Sequence, residues 1–375
     1  MEDQPILTIM KHFEPLNDPR ILKKTAHKLI DILVIAICAV IGGADKWTQI
    51  EEFGRAREAW FSHFLELPHG IPSHDTFGRV FSLIAAKNFL TCFQGWIKTV
   101  FEVTQGQVIA IDGKTLRRSM NKCGNKKALH IVHAWGTANG VLLGQLKTQE
   151  KSNEITAIPE LLQLLELKGC IVTLDAMGCQ KKIAEQIHHQ GADYVLAVKD
   201  NQKELKTALE TTFQKAHEKK FQEMVYKQHQ TVEKDHGRVE TRTCYVLPLM
   251  YLHQFKFPWK GLQSLVMIES ERYCQGQTAN ETRYYISSLK MDAKKIMEAV
   301  RQHWGVENNL HWCLDVGFRE DECRVRIGDA AENFSLLRKI ALLCLKKEKS
   351  CKGGIQTKRL KAGWDTQYLL KVLRA

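Results

Sequence analysis

Val108-Ile-Ala-Ile-Asp112 and Cys170-Ile-Val-Thr-Leu-Asp175 decide the fold. Each is a short apolar run that ends in a carboxylate, with the β-branched residues that suit a buried strand. Downstream of the first lie Leu129-His-Ile-Val-His-Ala-Trp135 and Val141-Leu-Leu-Gly-Gln-Leu-Lys147, joined through Ala138-Asn-Gly140. Asn-Gly between strand-like runs predicts a hairpin, so the first three strands read as an antiparallel meander. Around the second run the pattern changes. An amphipathic helix over 153–167, with Asn153 as its cap, precedes it. A helix over Cys179–His189, the strand Asp193-Tyr-Val-Leu-Ala-Val198 and a helix opened by Asn201 follow it. Strands that alternate with helices require right-handed parallel crossovers.

Three antiparallel strands feeding two parallel ones, with helices between, is the order of a ribonuclease-H-like α/β fold. The flanks divide the rest. Residues 1–104 read as an N-terminal helical domain: His27–Ile41 is apolar, Lys46–Leu65 and Ala86–Val103 have helical spacing, and Ser73 caps a helix to Ile84. Such a unit suits either a reader of DNA ends or a packing and dimerisation module. Residues 105–223 form the first part of the core. Residues 224–290 read as a β-rich insertion, with strands at Glu240–Leu247, Leu262–Glu269 and Thr282–Ser287 punctuated by Pro258 and Gly261. Residues 291–345 return to the core with a strong helix from Asp292 through Glu307 to Cys313. Residues 346–375 are a basic C-terminal segment, expected to be exposed and partly flexible, with Lys and Arg dense over Lys346–Lys361.

The 375 residues are 44% apolar and carry a net charge of +12. That apolar share excludes a disordered chain, and the basic surplus favours a polyanionic partner. Eleven cysteines, an odd number with no C-x-x-C pair, argue against a disulfide framework or a zinc ribbon and suit reduced thiols in the cytoplasm. The acidic Met-Glu-Asp-Gln start lacks the basic flank of a signal peptide. The most apolar run, Ile32 to Ala44, is too short to span a bilayer, so no membrane partner is expected.

In the order proposed, Asp112 and Asp175 end neighbouring strands. Ligands of open α/β sheets gather at that edge. Two carboxylates so close raise each other's pKa unless a cation sits between them. Magnesium prefers hard oxygen ligands and keeps positions open for phosphate and water. Two such ions, ~3.5–4 Å apart, clamp the attacking and leaving oxygens of phosphoryl transfer. A pair of metals calls for a third acid on a later helix. Gly113 and Gly178 leave room for a close approach. In Arg301-Gln-His-Trp-Gly-Val-Glu-Asn-Asn-Leu-His-Trp312, His303, Glu307 and His311 share one helical face, with Asp315 a turn beyond. Zinc is the competing cation for a His/Glu/His stripe near Cys313, but the spacing is not H-E-x-x-H and the Asp pair would be idle. The histidines fit support of the acids or contact with DNA. Lys114, Arg117, Arg118, Lys122, Lys126 and Lys127 after Asp112, and Arg238 and Arg242 in the insertion, are candidates to track phosphates. Trp259 is a core residue or, alternatively, a base-stacking one.

Several segments together resemble the H-repeat-associated insertion-sequence transposases, a branch of the bacterial DDE transposases. They are Ile109-Ala-Ile-Asp-Gly-Lys-Thr-Leu-Arg117, Lys151-Ser-Asn-Glu-Ile-Thr-Ala-Ile-Pro159, Thr173-Leu-Asp-Ala-Met-Gly-Cys-Gln180, His236-Gly-Arg-Val-Glu-Thr-Arg242, His303-Trp-Gly-Val-Glu-Asn-Asn-Leu-His-Trp-Cys-Leu-Asp-Val-Gly-Phe-Arg-Glu-Asp321 and Lys358-Arg-Leu-Lys-Ala-Gly-Trp364. The resemblance runs from about Ile21 to Leu373. It implies a catalytic and metal-binding triad of Asp112, Asp175 and Glu307, two Mg2+ ions (Mn2+ as substitute), and action on the terminal inverted repeats of the element's own DNA and on target DNA, by hydrolysis to a 3′-hydroxyl and strand transfer. Lys114, Arg117, Arg118, Arg238, Arg242, His303 and His311 are the expected DNA contacts. Two ends must be brought together, so a homodimer on DNA is expected. The chain departs from many related enzymes, which carry Tyr, Arg and Lys seven before, four before and seven after the Glu. Here those positions hold Val300, His303 and Leu314, with Arg301 two residues before the Arg position. The alternative function is a catalytically inactive, domesticated DNA-binding relative, and Asp315 and Glu320 compete with Glu307 for the third acid.

Overall fold

The structure is a computed structural model that describes residues 4–21, 23, 25–100, 106–120, 128–148, 154–222, 224–235, 237–252 and 259–374. Lys122, Lys126, Lys127, Asn153, His236 and Pro258, named above, lie outside the described residues.

One nine-stranded mixed sheet organises the chain. Its strands are β1 (Val108–Leu116), β2 (Leu129–Gly136), β3 (Val141–Lys147), β4 (Ile171–Leu174), β5 (Asp193–Val198), β6 (Lys227–Asp235), β7 (Arg238–Pro248), β8 (Ser264–Cys274) and β9 (Gln277–Ser287). They lie in the order β3-β2-β1-β4-β5-β9-β8-β7-β6. The β1–β2 and β2–β3 pairs are antiparallel, while β1–β4 and β4–β5 are parallel. The residues expected to form an insertion continue the same sheet. The strand β9 pairs antiparallel with β5, from Val195↔Ser287 to Val198↔Tyr284, and three hairpin-connected strands extend it to an edge at β6. Uncapped by β9, the edge of β5 would present unpaired backbone groups.

Helices cover both faces. They are α1 (Gln4–Phe13), α2 (Leu29–Ile41), α3 (Trp47–Arg55), α4 (Glu58–Phe61), α5 (His74–Leu83), α6 (Ala86–Val100), α7 (Glu154–Gln163), α8 (Lys181–His189), α9 (Lys203–Glu218), α10 (Ala293–Val306), α11 (Ala330–Lys347), α12 (Ile355–Trp364) and α13 (Thr366–Arg374). The N-terminal helices do not keep a core to themselves. Their apolar residues, from α2, α5 and α6 above all, merge with α11, α13 and the sheet residues Ala110, Trp135, Val141 and Leu142 into one cluster. The opposite face of β1, through Ile109 and Ile111, packs on α7, α8 and α9. Helix α2 is apolar all round because it is buried all round: every residue except Ile30 is sequestered. The expected Lys46–Leu65 helix is broken at Arg57, whose backbone leaves helical values (φ −129°, ψ 19°) between α3 and α4.

The basic C-terminal segment is not an exposed tail. It folds as α12 and α13 against the helical layer, and its cations are partly consumed in the interior. Arg359, 4% exposed, donates to the carbonyls of Val40, Ala44 and Gly317 and to the Asp45 carboxylate. Lys358 donates to the carbonyls of Leu345 and Glu348. Among the described residues, no single helix is long and apolar enough to cross a membrane. Replacing Arg359 with Ala strands those acceptors and Asp45. It is expected to cost about 3 kcal/mol in urea unfolding, whereas Lys352→Ala, on the exposed loop before α12, is expected to change stability by less than about 0.5 kcal/mol.

Candidate active site

The parallel register of β1 and β4 ends at Ile111↔Leu174. The next residues on the two strands are Asp112 and Asp175, so the carboxylates stand side by side where the strands part. Asp112 does not terminate its strand, contrary to expectation. The strand runs on to Leu116, because β2 keeps pairing with it as far as Leu129, and only the β4 side opens. Asp112, Asp175 and Glu307 line one cleft of about 550 Å³, whose walls include Thr173, Lys199, Arg283, Val300, His303 and Trp304.

The local electrostatics are those of crowded acids. Burial, and then the Asp175 and Glu154 carboxylates, push the Asp112 carboxyl up to about 7 despite the hydrogen bond from Gly113 N–H. Burial also raises Asp175, opposed by the Gly178 N–H that it accepts at 3.2 Å. Gly178 is crowded by the Leu174 side chain, where a Cβ would lie 2.8 Å from Leu174 Cδ2.

Glu307 is delivered by an unusual helix. Asp292 caps α10, its Oδ1 accepting from Lys295 N–H at 3.0 Å. From Glu307 the helix continues as π turns through His311 and again over Cys313–Gly317, with Trp312 N–H bonded to Glu307 O, five residues back. Such turns are rare and concentrate at functional sites. The polar stripe legible in the sequence is what docks this helix. His303 Nδ1 meets Thr173 Oγ1 on β4 at 3.0 Å. His311 Nδ1 lies 3.5 Å from Asp112 Oδ2, and its Nε2 is 3.0 Å from His133 Nδ1 on β2. Asp315 accepts from Lys114 Nζ on β1 at 2.6 and 2.7 Å. Among the described residues the Glu307 side chain alone in this stripe has no hydrogen bond or ion pair, and it is exposed to the cleft. The competing acids are thereby committed elsewhere: Asp315 to Lys114, and Glu320, 1% exposed, to the Ser335 hydroxyl at 2.7 Å.

Burial drives His303 down to about 4 and His311 to about 3, and lowers His133 as well, so all three rings are neutral. A neutral His311 that turns Nδ1–H toward Asp112 must accept at Nε2. His133 Nδ1–H then donates to it, and His133 Nε2 carries the lone pair that finds no partner among the described residues.

Glu154 belongs to the Lys151–Pro159 segment, where the residue types around it give no separate signal of a role in the site. It begins α7, accepts from His130 Nε2 at 2.7 Å, and raises both Asp112 and Asp175. Thr115 Oγ1 holds the other nitrogen of His130 at 2.7 Å. Gly113 is required between them: a Cβ there would lie 2.1 Å from Glu154 Oε1 and 2.5 Å from His130 Nε2.

The expected DNA contacts divide. Lys114, 7% exposed, is spent on Asp315 and Asp321, because its position on β1 points it under the helix and away from solvent. His303 and His311 are held against the sheet as described. Arg242 is 12% exposed and ion-paired to Glu233 at 2.9 Å and Glu240 at 2.6 Å. These four already have partners within the fold. Arg117 is 81% exposed, with Nε 3.2 Å from Asp321. Arg118, and Arg238 at the β6–β7 turn, are exposed. Arg301 binds Glu233 of β6 at 2.7 Å, a tie between α10 and the sheet extension. Trp259 is a core residue, 7% exposed.

Hard carboxylate oxygens, with the Asp112 carboxyl raised by burial and by its acidic neighbours, fit a divalent cation. Among the described residues no three acid, imidazole or thiol groups already converge on one point, so the acids line the cleft without enclosing an ion, and zinc coordination by the stripe is equally without support. A carboxyl whose folded-state pKa is raised favours the fold below its unfolded value near 3.8 and loses that contribution as pH climbs toward 7. In chelator, the stability of wild type relative to Asp112→Asn is therefore expected to fall by a few kcal/mol over that window, other carboxyls being common to both, as measured by denaturant unfolding of both across pH.

Similarity to known proteins places the chain in a family. The family described as "Transposase DDE domain" matches residues 104–344, and its associated N-terminal family matches residues 10–97. The chain is 44% identical to "H repeat-associated putative transposase YhhI" of Escherichia coli K12, over 97% of each chain. It is 45% identical to "Putative transposase YncI" of Escherichia coli O157:H7, over 98% of this chain and 95% of that one. An uncharacterised protein from Xanthobacter autotrophicus is 44% identical over 75% of this chain and 94% of its own. Matched along most of its length by the domain family and nearly end to end by H-repeat relatives, this chain belongs to the H-repeat-associated branch of the DDE transposases.

Proposed function

We propose that the protein is a metal-dependent DNA transposase with a ribonuclease-H-like core, in which Asp112, Asp175 and Glu307 are the catalytic acids. The observation that carries this is the convergence on one cleft of two carboxylates from adjacent parallel strands and a third from the helix clamped across them. The order β3-β2-β1-β4-β5, three antiparallel strands followed by two parallel ones, supports the core assignment.

Bound Mg2+ would supply charge neutralisation on the scissile phosphate and a water of lowered pKa, and Mn2+ is the expected substitute. Asp112, Asp175 and Glu307 are the oxygen donors for it. The neutral His311–His133 pair orients the Asp112 carboxylate without adding a charge. The Lys114–Asp315 pair and the Thr173–His303 bond fix the helix so that Glu307 faces the Asp pair. The chemistry is in-line hydrolysis of a phosphodiester at the element ends to leave a 3′-hydroxyl, followed by attack of that hydroxyl on target DNA, with no covalent protein intermediate. Substrate is double-stranded DNA, the terminal inverted repeats and a target, and a homodimer would hold two ends. The cytoplasm is the compartment where such DNA and reduced thiols meet.

The test is Mg2+-dependent cleavage of duplexes carrying the inverted repeats that flank the gene. Asp112→Ala, Asp175→Ala and Glu307→Gln should each reduce cleavage by a factor of at least about 10³. Asp315→Asn, which loosens the clamp, should reduce it roughly ten- to a hundredfold. Glu320 in place of Glu307 as the acid whose loss abolishes cleavage at unchanged fold would contradict the assignment. Duplex binding without cleavage by the wild type would favour the inactive DNA-binding relative.

A further inference from the structure

A second concavity, of about 1180 Å³, lies between the N-terminal helices and the loop that follows the π turns. Six cations line it: Lys46, Arg79, Arg118, Arg319, Arg324 and Arg326, against the acids Asp45, Asp75 and Glu322. Two of those acids are already neutralised, Asp45 by Arg359 at 2.8 Å and Glu322 by Arg319 at 2.5 Å. Lys46, Arg79, Arg118 and Arg324 are exposed and make no ion pair among the described residues. Four solvated cations facing one another across a groove repel, and a polyanion relieves that repulsion without breaking an internal ion pair.

The walls are built to hold their spacing. Gly328 presses on the carbonyl of Ser82, where a Cβ would lie 2.3 Å from the oxygen, and its φ of +51° is a conformation glycine adopts freely. Asp329 N–H donates to the same carbonyl at 3.2 Å, and Asp329 Oδ2 accepts from Ala86 N–H, at the start of α6, at 3.0 Å. Asn333 Nδ2 donates to the carbonyls of Phe81 and Ile84, both at 2.8 Å. The loop that carries Arg319, Arg324 and Arg326 is thus pinned to the helices that carry Arg79. The same groove adjoins the acids through the chain itself: Arg118 follows the end of β1, and residues 319–327 continue from the helix that bears Glu307.

We propose that this groove binds the sugar-phosphate backbone of duplex DNA and leads it to the cleft. This rests on the transposase assignment and extends it to a surface distinct from the acids. Of the rings in the lining, Trp47 is already packed between Phe81 at 5.2 Å and Phe334 at 4.5 Å, and His74 is tied through Nδ1 to the Glu51 carboxylate at 2.7 Å, so no free indole face is offered to an unpaired base. The groove therefore reads charge along a backbone and does not stack exposed bases, which points to duplex and away from single strand.

The test is fluorescence anisotropy of a mixed-sequence duplex across a salt series in chelator, with Lys46→Glu, Arg79→Glu and Arg324→Glu, and Lys219→Glu at the end of α9 as a control of equal charge change. Thermal melts followed by circular dichroism check that each variant folds. Each groove variant should bind several-fold to tenfold more weakly near 0.1 M salt, and should lower the slope of log affinity on log salt by roughly one. The control should stay within about twofold of wild type. Groove variants that bind duplex like wild type, while Asp112→Ala still abolishes cleavage, would overturn the groove and leave the enzyme assignment standing. A wild type that binds no duplex would overturn both. Reversals that alter oligomeric state by light scattering at unchanged duplex affinity would make the groove a protein interface, and stronger loss for single strand than for duplex would also overturn the proposal.

Discussion

Lys114 and Asp315 come from opposite ends of the stretch that carries the three acids and meet at the margin of the interior. The ammonium is 7% exposed and the carboxylate about one-third exposed, with both carboxylate oxygens within hydrogen-bond distance. Stranding either charge costs far more than the pair gains, so the pair specifies position more than it stabilises. It sets where the helix after α10 crosses β1, and that crossing sets where Glu307 stands. With the Thr173–His303 bond on one side and His311 against Asp112 and His133 on the other, the helix is held at three heights along the sheet. Glu307 is the rung left open.

The same geometry stores an electrostatic conflict. Burial first, and then Asp175, Glu154 and, more weakly, Glu307, raise the Asp112 carboxyl. The surrounding imidazoles do not relieve it, because burial keeps them neutral. Had they been charged, they would have paired with the acids and removed the incentive to bind a cation. Neutral rings orient a carboxylate without satisfying its charge. The nearby ammonium is withheld in the same way: Lys114 is spent on Asp315 and Asp321.

Much of this was legible in the sequence because burial leaves a periodic trace. β5 occupies the predicted Asp193–Val198, the Asn139-Gly140 turn joins β2 to β3, and the apolar runs before Asp112 and Asp175 lie on adjacent strands. Elements without such a trace escaped. β6, Lys-Gln-His-Gln-Thr-Val-Glu-Lys-Asp, is an edge strand with no buried face, so nothing in it alternates. The four last strands look like an insertion along the chain, yet they extend the same sheet, since pairing of β9 with β5 is a long-range fact with no local signature. Lys114, Arg242, Lys358 and Arg359 read as solvent-facing cations because composition does not distinguish a cation that meets phosphate from one that meets a buried acid or a row of carbonyls. Glu154 escaped for a related reason: it acts through proximity to Asp112 and Asp175, which its place in the chain does not reveal, and Gly113 shows that proximity only once a Cβ is imagined there.

The clamp is the center of the account, and its energy is directly measurable by a double-mutant cycle on Lys114→Met and Asp315→Leu, read as unfolding free energy at neutral pH. Asp315→Leu, which leaves the buried Lys114 ammonium only the Asp321 carboxylate at 3.6 Å, is expected to cost about 3 kcal/mol, Lys114→Met, which strands a carboxylate one-third open to water, about 1–2 kcal/mol, and the double variant to recover about 1 kcal/mol or more of the summed loss. Additive losses, with a coupling below about 0.5 kcal/mol, would contradict it, because the two side chains would then not be holding the helix to the strand.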